Sequence, residues 1–470
     1  MPHHSRALII AHTPEPEKIC TAAARISTKL GSSIDIFEEV VKSNNYSLIS
    51  KVLDSGHKSF IEHVNFTIAF ENVSAFVEQF IIEFRLASFT VKSRRYVDFG
   101  NMGYYIPKFR LKSESTATEE YIFKKYTEQM NYLFMEYKYF VNNGIIKEDA
   151  RFLLPYCYFS NFYCTVNARE LMHIIYSAKY GRGSGFPEIN KLGESLLLQA
   201  SKICPSIFNK TEQLEAGNED KEFKLRDFLD AKIIEKSNSN ETTEIISYTN
   251  DPEKIVALTA IINHKLCSTN KASELIESDA SLHNQLLEIV CNDKRKRELE
   301  QINFTFRINN ISLAGLTHLV RHRMQSLNVP SFTEFGISDR YIIPNTIASN
   351  PTLLSRYHAI WKNHIAFFNE FHSLGIVDED LVYLYLSGNV LDVVTTMNAR
   401  ELFHFIQLRS CNRAQWEIRL IAIDMLRKLR RIAPNIFGRV GPACFMTRNC
   451  PEGRLSCGKM QDVYDSFSVI

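Results

Sequence analysis

A chain that carries the same landmarks twice, in the same order, is constrained to fold as two related domains. Asn167-Ala168-Arg169-Glu170-Leu171 returns as Asn398-Ala399-Arg400-Glu401-Leu402. Glu15-Pro16-Glu17-Lys18-Ile19 answers to Asp251-Pro252-Glu253-Lys254-Ile255, and Phe66-Thr67-Ile68 to Phe304-Thr305-Phe306. The offsets of 231, 236 and 238 residues are those of a whole domain, not of a short solenoid unit. A duplicated domain folds as a pseudo-dimer and is free to divide one site between unequal halves.

The 470 residues leave room for two domains of roughly 200 each. A net charge of +2 gives no bulk argument for binding nucleic acid or a membrane surface. Met1 to Ile10 has no apolar core of signal-peptide length, and no uninterrupted apolar run approaches the ~18 residues of a membrane span. Seven of the ten cysteines stand singly among apolar residues and read as reduced, buried thiols. A cytoplasmic protein is the expectation.

Periodicity divides the chain into a first domain over 1–209, a linker and irregular first strand over 210–250, a second domain over 251–437, and a cysteine-bearing tail over 438–470. Ala7–Ile10 and Val64–Phe70 read as strands. A helix follows Pro16, and helical spacing runs over Asp35–Leu53 and Glu119–Asn142. Asn218–Lys224 and Ser237–Glu244 are too polar to bury much surface. Helices dominate and a few strands are segregated in each half, so the expected class is α+β, as two tandem domains forming a pseudo-dimer.

Two constellations carry chemistry. Arg321-His322-Arg323 follows the apolar run Ile311–Val320 and precedes Asn328 and Ser331. On a helix these three positions spread around nearly a full turn, which suits either a cleft for a large planar or phosphorylated ligand or a solvated helix end. Arg offers a planar fork to oxyanions, and His donates or accepts near neutral pH. The second constellation is Asn398, Arg400, Glu401, His404 and Arg409. Asn398 and Arg409, eleven apart, share one helical face, and Arg400 and His404 share another. Asn412-Arg413-Ala414-Gln415 reads as a capping box, placing Arg409 at a helix–helix junction. Satisfied structural hydrogen bonds are the alternative explanation, although the first half repeats the pattern as Asn167, Arg169 and His173.

With these residues in view, the chain resembles the flavin-dependent thymidylate synthases. Arg321-His322-Arg323, seven residues and Ser331 match that family's signature. The first half is similar over almost its whole length. It has Ala24-Arg25-Ile26-Ser27, Gly56-His57-Lys58-Ser59-Phe60-Ile61-Glu62-His63, Ser93-Arg94-Arg95-Tyr96, Tyr105-Ile106-Pro107, Asp149-Ala150-Arg151 leading to Pro155, and Thr165-Val166-Asn167-Ala168-Arg169. The second half is similar at the signature and from Asn398 through Arg419, including Leu408-Arg409 and Ala414-Gln415-Trp416-Glu417-Ile418.

The resemblance implies an α+β subunit that methylates dUMP to dTMP. The carbon comes from methylenetetrahydrofolate, the reducing equivalents from NADPH through FAD, and no cysteine nucleophile is used. Family members are homotetramers with sites between subunits, which for a doubled chain implies a homodimer acting as a pseudo-tetramer. Arg409 takes the position of the arginine that polarises the pyrimidine. Ser93, Arg95 and Arg151 match phosphate and sugar contacts, with Arg321 and Ser331 also on the substrate side. Arg321, His322, Arg323, Asn398 and Arg400 match positions that hold FAD, joined by Asn167, Arg169 and His404, and His63 matches a flavin-proximal histidine.

Each half departs from the pattern where the other keeps it. The first half has Glu83-Phe84-Arg85 at the signature, and its stretch matching Arg409 is the glycine-rich Tyr180–Phe186. The second half has Ser331-Phe332-Thr333-Glu334 for the phosphate loop, Gln301 for His63 and Val382 for Arg151. Complementary losses imply a composite site built from both repeats. Two family residues are missing twice: a glutamate, at Val91 and Val329, and a glutamine, at Phe80 and His318. Those paired losses keep open a flavin enzyme for another pyrimidine nucleotide, and the degeneracy of both copies keeps open a non-catalytic flavin- or nucleotide-binding descendant. In the tail, Cys444, Cys450 and Cys457 are spaced among Pro and Gly turns that suit a structural zinc or no metal at all; the spacing shows no fourth ligand, for which Cys411 is only a guess. Arg427-Lys428-Leu429-Arg430-Arg431 reads as a solvated helical face that could assist anionic cofactors.

Overall fold

Alternating burial along the two Phe-rich strands sets the frame of each repeat. The computed structural model describes residues 4–43, 45–112, 118–209, 241–333 and 340–470. The first repeat forms β1 (Arg6–His12), β2 (Asn65–Ser74), β3 (Ser88–Val91) and β4 (Phe159–Asn167), and the second forms β5 (Thr243–Tyr248), β6 (Asn303–Ser312), β7 (Gln325–Asn328) and β8 (Val390–Asn398). Both sheets are antiparallel, in the orders β1-β2-β4-β3 and β5-β6-β8-β7. Phe66, Ile68 and Phe70 on β2, and Phe304, Phe306 and Ile308 on β6, are buried at alternate positions, the period-two pattern of a strand with one face on the core.

The irregularities repeat as faithfully as the strands. The β2–β4 register slips between Phe70 and Val73, and the β6–β8 register between Ile308 and Ile311. Each slip holds an asparagine in the left-handed region, Asn72 at φ 50° and Asn310 at φ 53°. Asparagine enters that region more readily than most residues. The freed amides are satisfied: Asn72 N–H donates to Asn161 Oδ1 at 2.6 Å and Asn310 N–H to Asp392 Oδ1 at 2.8 Å. Ser74 and Ser312 then cap the helices Ala75–Ile82 and Leu313–Leu319. Their hydroxyls donate to the buried carboxylates of Glu188 and Glu417, at 2.7 and 2.5 Å. The strand–helix corner that precedes each signature turn is therefore fixed by the same bonds in both repeats.

The described residues within Met1–Ile234 and Phe332–Asn389 form one compact unit, and those within Glu235–Ser331 and Val390–Ile470 form the other. In the first unit the long helices Glu119–Asn142 and Pro351–Ser373 are tied together by Arg356, which donates to both oxygens of Glu136 at 2.6 and 2.7 Å. His364 is fully buried there. Its Nε2–H donates to Leu384 O at 2.6 Å, leaving Nδ1 to accept from Gln129 Nε2 at 3.0 Å. In the second unit the helix Trp416–Ile432 continues toward the tail helices Ala443–Thr447 and Met460–Ser468.

The expected α+β class holds, with two sheets of one topology. Ala7–Ile10 lies inside β1, Val64–Phe70 corresponds to the start of β2, and Glu119–Asn142 is one helix. The expected run Asp35–Leu53 is two helices, Ser33–Ser43 and Ser47–Asp54. Residues 210–240 and Glu334 lie outside the described residues. All ten cysteines are free thiols, and no described helix is long and apolar enough to cross a membrane.

Candidate active site

Arg409 ends the helix Ala399–Arg409, and its Nε–H donates to His322 Nε2 at 2.8 Å. An imidazole nitrogen that accepts is unprotonated, so the His322 proton sits on Nδ1, 3.1 Å from Glu401 Oε1. Glu401 is placed by its own backbone, whose N–H donates to the cap oxygen of Asn398 at 2.9 Å. One line of bonds thus runs from the helix cap Asn398 through Glu401 and His322 to the guanidinium of Arg409. His322 is only 4% exposed, and burial holds its pKa below the usual histidine value. The bond to Glu401 opposes that shift, and the Arg409 charge reinforces it. A neutral imidazole can orient a permanent cation without repelling it.

The placement of the signature corrects one expectation. The helix Leu313–Leu319 ends before Arg321-His322-Arg323, and the three residues lie in the turn leading to β7. Off the helix, neighbouring side chains diverge: His322 points into the core while Arg321 and Arg323 are exposed, as is Ser331 beyond β7. His404 is exposed on its helix, its ring centroid 5.9 Å from that of His322. Arg400 forms an ion pair with Glu300, as Arg169 does with Glu62 at 2.6 Å. Asn412–Gln415 is not a capping box either: Gln415 itself caps the next helix, its Oε1 accepting from Ile418 N–H at 3.0 Å. The repeated asparagines also have a local reason. Asn167 caps the helix Ala168–Lys179 by accepting from Glu170 N–H at 2.9 Å, as Asn398 does for Glu401.

In the first repeat, the residues matched to phosphate and sugar converge on Glu148. Its carboxylate pairs with Arg95, and its carbonyl accepts from Arg151 Nε at 3.1 Å. Ser93 Oγ accepts from Arg95 N–H at 3.3 Å, which folds the loop back on itself. Arg151 is buried and opens a short 3-10 turn, Arg151–Leu153. Val382 opens the corresponding turn, Val382–Leu384, with no charge to offer. His63 and its counterpart Gln301 likewise end matching 3-10 segments, Ser59–His63 and Arg297–Gln301, and His63 is exposed. Sequence reasoning gave Arg94 no role. It forms a buried ion pair with Glu78, which also accepts from Ser160 Oγ, and it lies 5.1 Å from the Tyr158 ring centre. The basic pair in Ser93-Arg94-Arg95 was visible, but nothing in sequence said which arginine turns inward.

The family model described as "Thymidylate synthase complementing protein" matches residues 8–206 and, a second time, residues 244–435. The chain belongs to that family. A flavin-dependent thymidylate synthase of Geobacter sulfurreducens is 33% identical over 226 residues, covering 47% of this chain and 96% of the relative. One from Clostridium tetani is 32% identical over 240 residues, covering 47% and 94%. Each such relative is matched almost end to end by about half of this chain. Among solved structures, a UMP/dUMP methylase from Streptomyces cacaoi bound with 5-Br dUMP shows a TM-score of 0.36 at 21% identity, covering 45% of this chain and 96% of its own.

Within this family the first repeat's own signature turn has been rewritten. Glu83 pairs with Arg182, which also donates to Phe80 O at 3.1 Å and lies 4.5 and 5.4 Å from the ring centres of Phe80 and Phe84. Glu170, the counterpart of Glu401, has no imidazole at Phe84 to meet and stands 3.5 Å from His173 instead. Glu83, Phe84, Glu170, His173 and Arg182 line a cleft of about 720 Å³. Arg182 is the guanidinium that alignment with Arg409 missed, because it enters from the glycine-rich loop and not from the helix.

The expected zinc is not shown. Among the described residues, no group of three or more His, Cys, Asp or Glu side chains is arranged to hold a metal ion. The tail does bring its thiols into one neighbourhood: burial raises the Cys444 pKa, and Cys411, Cys450 and Cys457 add to the rise. Asn412 Nδ2 donates to Cys457 Sγ at 3.8 Å.

Proposed function

We propose that this chain is a flavin-dependent thymidylate synthase whose working parts are shared out between its repeats. Its reaction converts dUMP, methylenetetrahydrofolate and NADPH to dTMP, tetrahydrofolate and NADP, with FAD as the resident cofactor. The observation that carries this reading is the line Asn398–Glu401–His322–Arg409. The second repeat has it whole; the first has Phe84 in place of His322 and no arginine at the end of the helix Ala168–Lys179 to match Arg409.

The donor set fits a flavin dinucleotide. Arg321 and Arg323 are exposed cations beside a buried neutral imidazole, which suits a ligand with an anionic pyrophosphate and a flat ring. Bound and reduced, the flavin supplies hydride. The protein's contribution is to prepare the pyrimidine. A guanidinium beside N3 and O2 stabilises the negative charge that grows on the ring as C6 accepts hydride, and an oriented charge needs no reorganisation at that moment. His322 and Glu401 fix the orientation of Arg409 through its Nε. Ser93, Arg95 and Arg151 of the first repeat supply what the second lacks, a fixed seat for the nucleotide phosphate.

The test is anaerobic. Flavin on the purified protein is reduced, dUMP and methylenetetrahydrofolate are added, and reoxidation is followed together with dTMP. Coupled reoxidation and dTMP are expected, and Arg409→Ala is expected to slow turnover by roughly 100-fold to 1,000-fold. Reduced flavin that persists, with no dTMP, refutes the proposal. Reoxidation triggered by a different pyrimidine nucleotide gives the paired losses at Val91/Val329 and Phe80/His318 their meaning.

A further inference from the structure

The arginine-rich segment after the candidate site is not a uniformly solvated face. On the helix Trp416–Ile432, Arg419, Ile423, Arg427 and Arg431 recur every four residues and share one side. That side, with Asn412 and the tail helix Met460–Ser468, lines a cavity of about 860 Å³. The volume falls within the roughly 300–1,000 Å³ of small-molecule sites.

The arginines divide by function. Arg430 is structural: it donates to the carbonyl oxygens of Phe437, Val440, Phe467 and Ile470 at 3.2, 2.9, 2.7 and 2.9 Å, fastening the tail over the helix. Arg419 is anchored at one end, where it donates to Asn412 Oδ1, but its Nε–H is buried with no acceptor. An unpaired buried donor is costly and rare, and a ligand acceptor is one resolution. Arg427 and Arg431, one turn apart and exposed, have no hydrogen-bond or ion-pair partner among the described residues. The opposite wall is apolar, with Val463 and Phe467 facing Ile423, and Asp462 is the one carboxylate side chain in the lining.

We propose that this cavity is a second ligand site, for a phosphorylated molecule with an apolar body of about nucleoside size. Arg427 and Arg431 clamp the phosphate, and the body lies against Ile423, Val463 and Phe467 toward Arg419. Two planar forks one turn apart suit a tetrahedral oxyanion, and the apolar wall distinguishes an organic phosphate from a free one. The site rests on none of the residues assigned to thymidylate chemistry.

Calorimetric titration of the FAD-saturated full chain with ADP at low salt tests it, with inorganic pyrophosphate as the control. Arg427→Gln/Arg431→Gln alters only exposed side chains and is expected to weaken ADP binding by about tenfold or more. Asp462→Asn removes the opposing carboxylate and is expected to tighten binding by about twofold to fivefold, a gain that misfolding cannot imitate. Arg409→Ala is expected to leave ADP binding unchanged, so failure of the thymidylate reading and failure of this one are told apart. Equal ADP binding by the wild-type and the double variant overturns the proposal, as does an absence of binding by the wild type. Pyrophosphate bound as tightly as ADP removes the apolar body from it.

Discussion

The turn after Ala75–Ile82 reads Glu83-Phe84-Arg85, and the turn after Leu313–Leu319 reads Arg321-His322-Arg323. The frames that present them match bond for bond: a left-handed asparagine, a capping serine and a buried glutamate in each repeat. Yet one turn holds a neutral histidine between Glu401 and Arg409, and the other is closed by a Glu83–Arg182 pair under two phenylalanine rings. The frame survives because its serines and glutamates are buried and would be stranded if a partner changed. The chemistry we propose needs only two or three side chains, so a repeat can lose it without losing its fold.

Carrying one residue across breaks the comparison most sharply. His322→Phe gives the second turn the first turn's residue, and an aromatic ring already sits at that place in the first repeat. We expect dTMP formation to fall by roughly 100-fold or more, comparable to losing Arg409, while secondary structure is kept. Retained turnover would show that Arg409 needs no bracket, and the asymmetry of the turns would then carry no catalytic meaning.

The two histidines buried among the described residues provide a second contrast. His364 in the first unit faces a carbonyl and an amide, whereas His322 in the second faces a carboxylate and a guanidinium. Burial pushes the His364 pKa down to about 4, against a weaker upward pull from the Leu384 carbonyl. The unfolded state binds the proton more tightly, so this contribution is complete above pH 6.5 and drains away as pH falls toward 4. By then it has cost roughly 3 kcal/mol. Chemical unfolding of the wild type and of His364→Gln across that range measures it, and parallel pH profiles would refute it. For His322 the sign is the same. Because the Glu401 bond raises its pKa, Glu401→Gln should move the acid limb of turnover to lower pH.

Arg95 and its counterpart Thr333 sharpen the division of labour. Arg95→Ala should weaken dUMP binding by about tenfold to 100-fold, whereas Thr333→Ala should change it little. Equilibrium dialysis with the nucleotide decides between them. Equal effects would mean that both repeats seat phosphate and that the composite arrangement is wrong.

The duplication and the α+β class were legible because repeated motifs are local facts, and Arg409, His322 and Arg95 stood out as proposed site residues by residue type and motif alone. What sequence missed depends on direction. Arg94 and Arg95 are indistinguishable by type, yet one is buried against Glu78 and the other pairs with Glu148 at the edge of its loop. Arg321-His322-Arg323 reads as helix by continuity with Ile311–Val320, but the helix stops at Leu319, and only outside it can His322 turn inward. Arg182 was hidden because a glycine-rich loop gives no periodicity from which to infer where a side chain points. The three tail cysteines were legible as a spacing; that Cys411 joins their neighbourhood was not, because convergence of thiols is a tertiary property.

The smallest expected effect tests why Asn167 and Asn398 recur at all. Each caps a helix through an equal 2.9 Å bond, so Asn167→Ala and Asn398→Ala should each cost about 1 kcal/mol on chemical unfolding. Their consequences for turnover should part. Asn398 orients Glu401, which orients His322 and Arg409, so its loss loosens the guanidinium; Glu170 has no such line to support. A turnover defect confined to Asn398→Ala supports a repetition maintained by capping, with catalysis added in one copy. If Asn167→Ala slows dTMP formation as much, the first repeat's cap belongs to the working site, and the two repeats are less unequal than their signature turns make them.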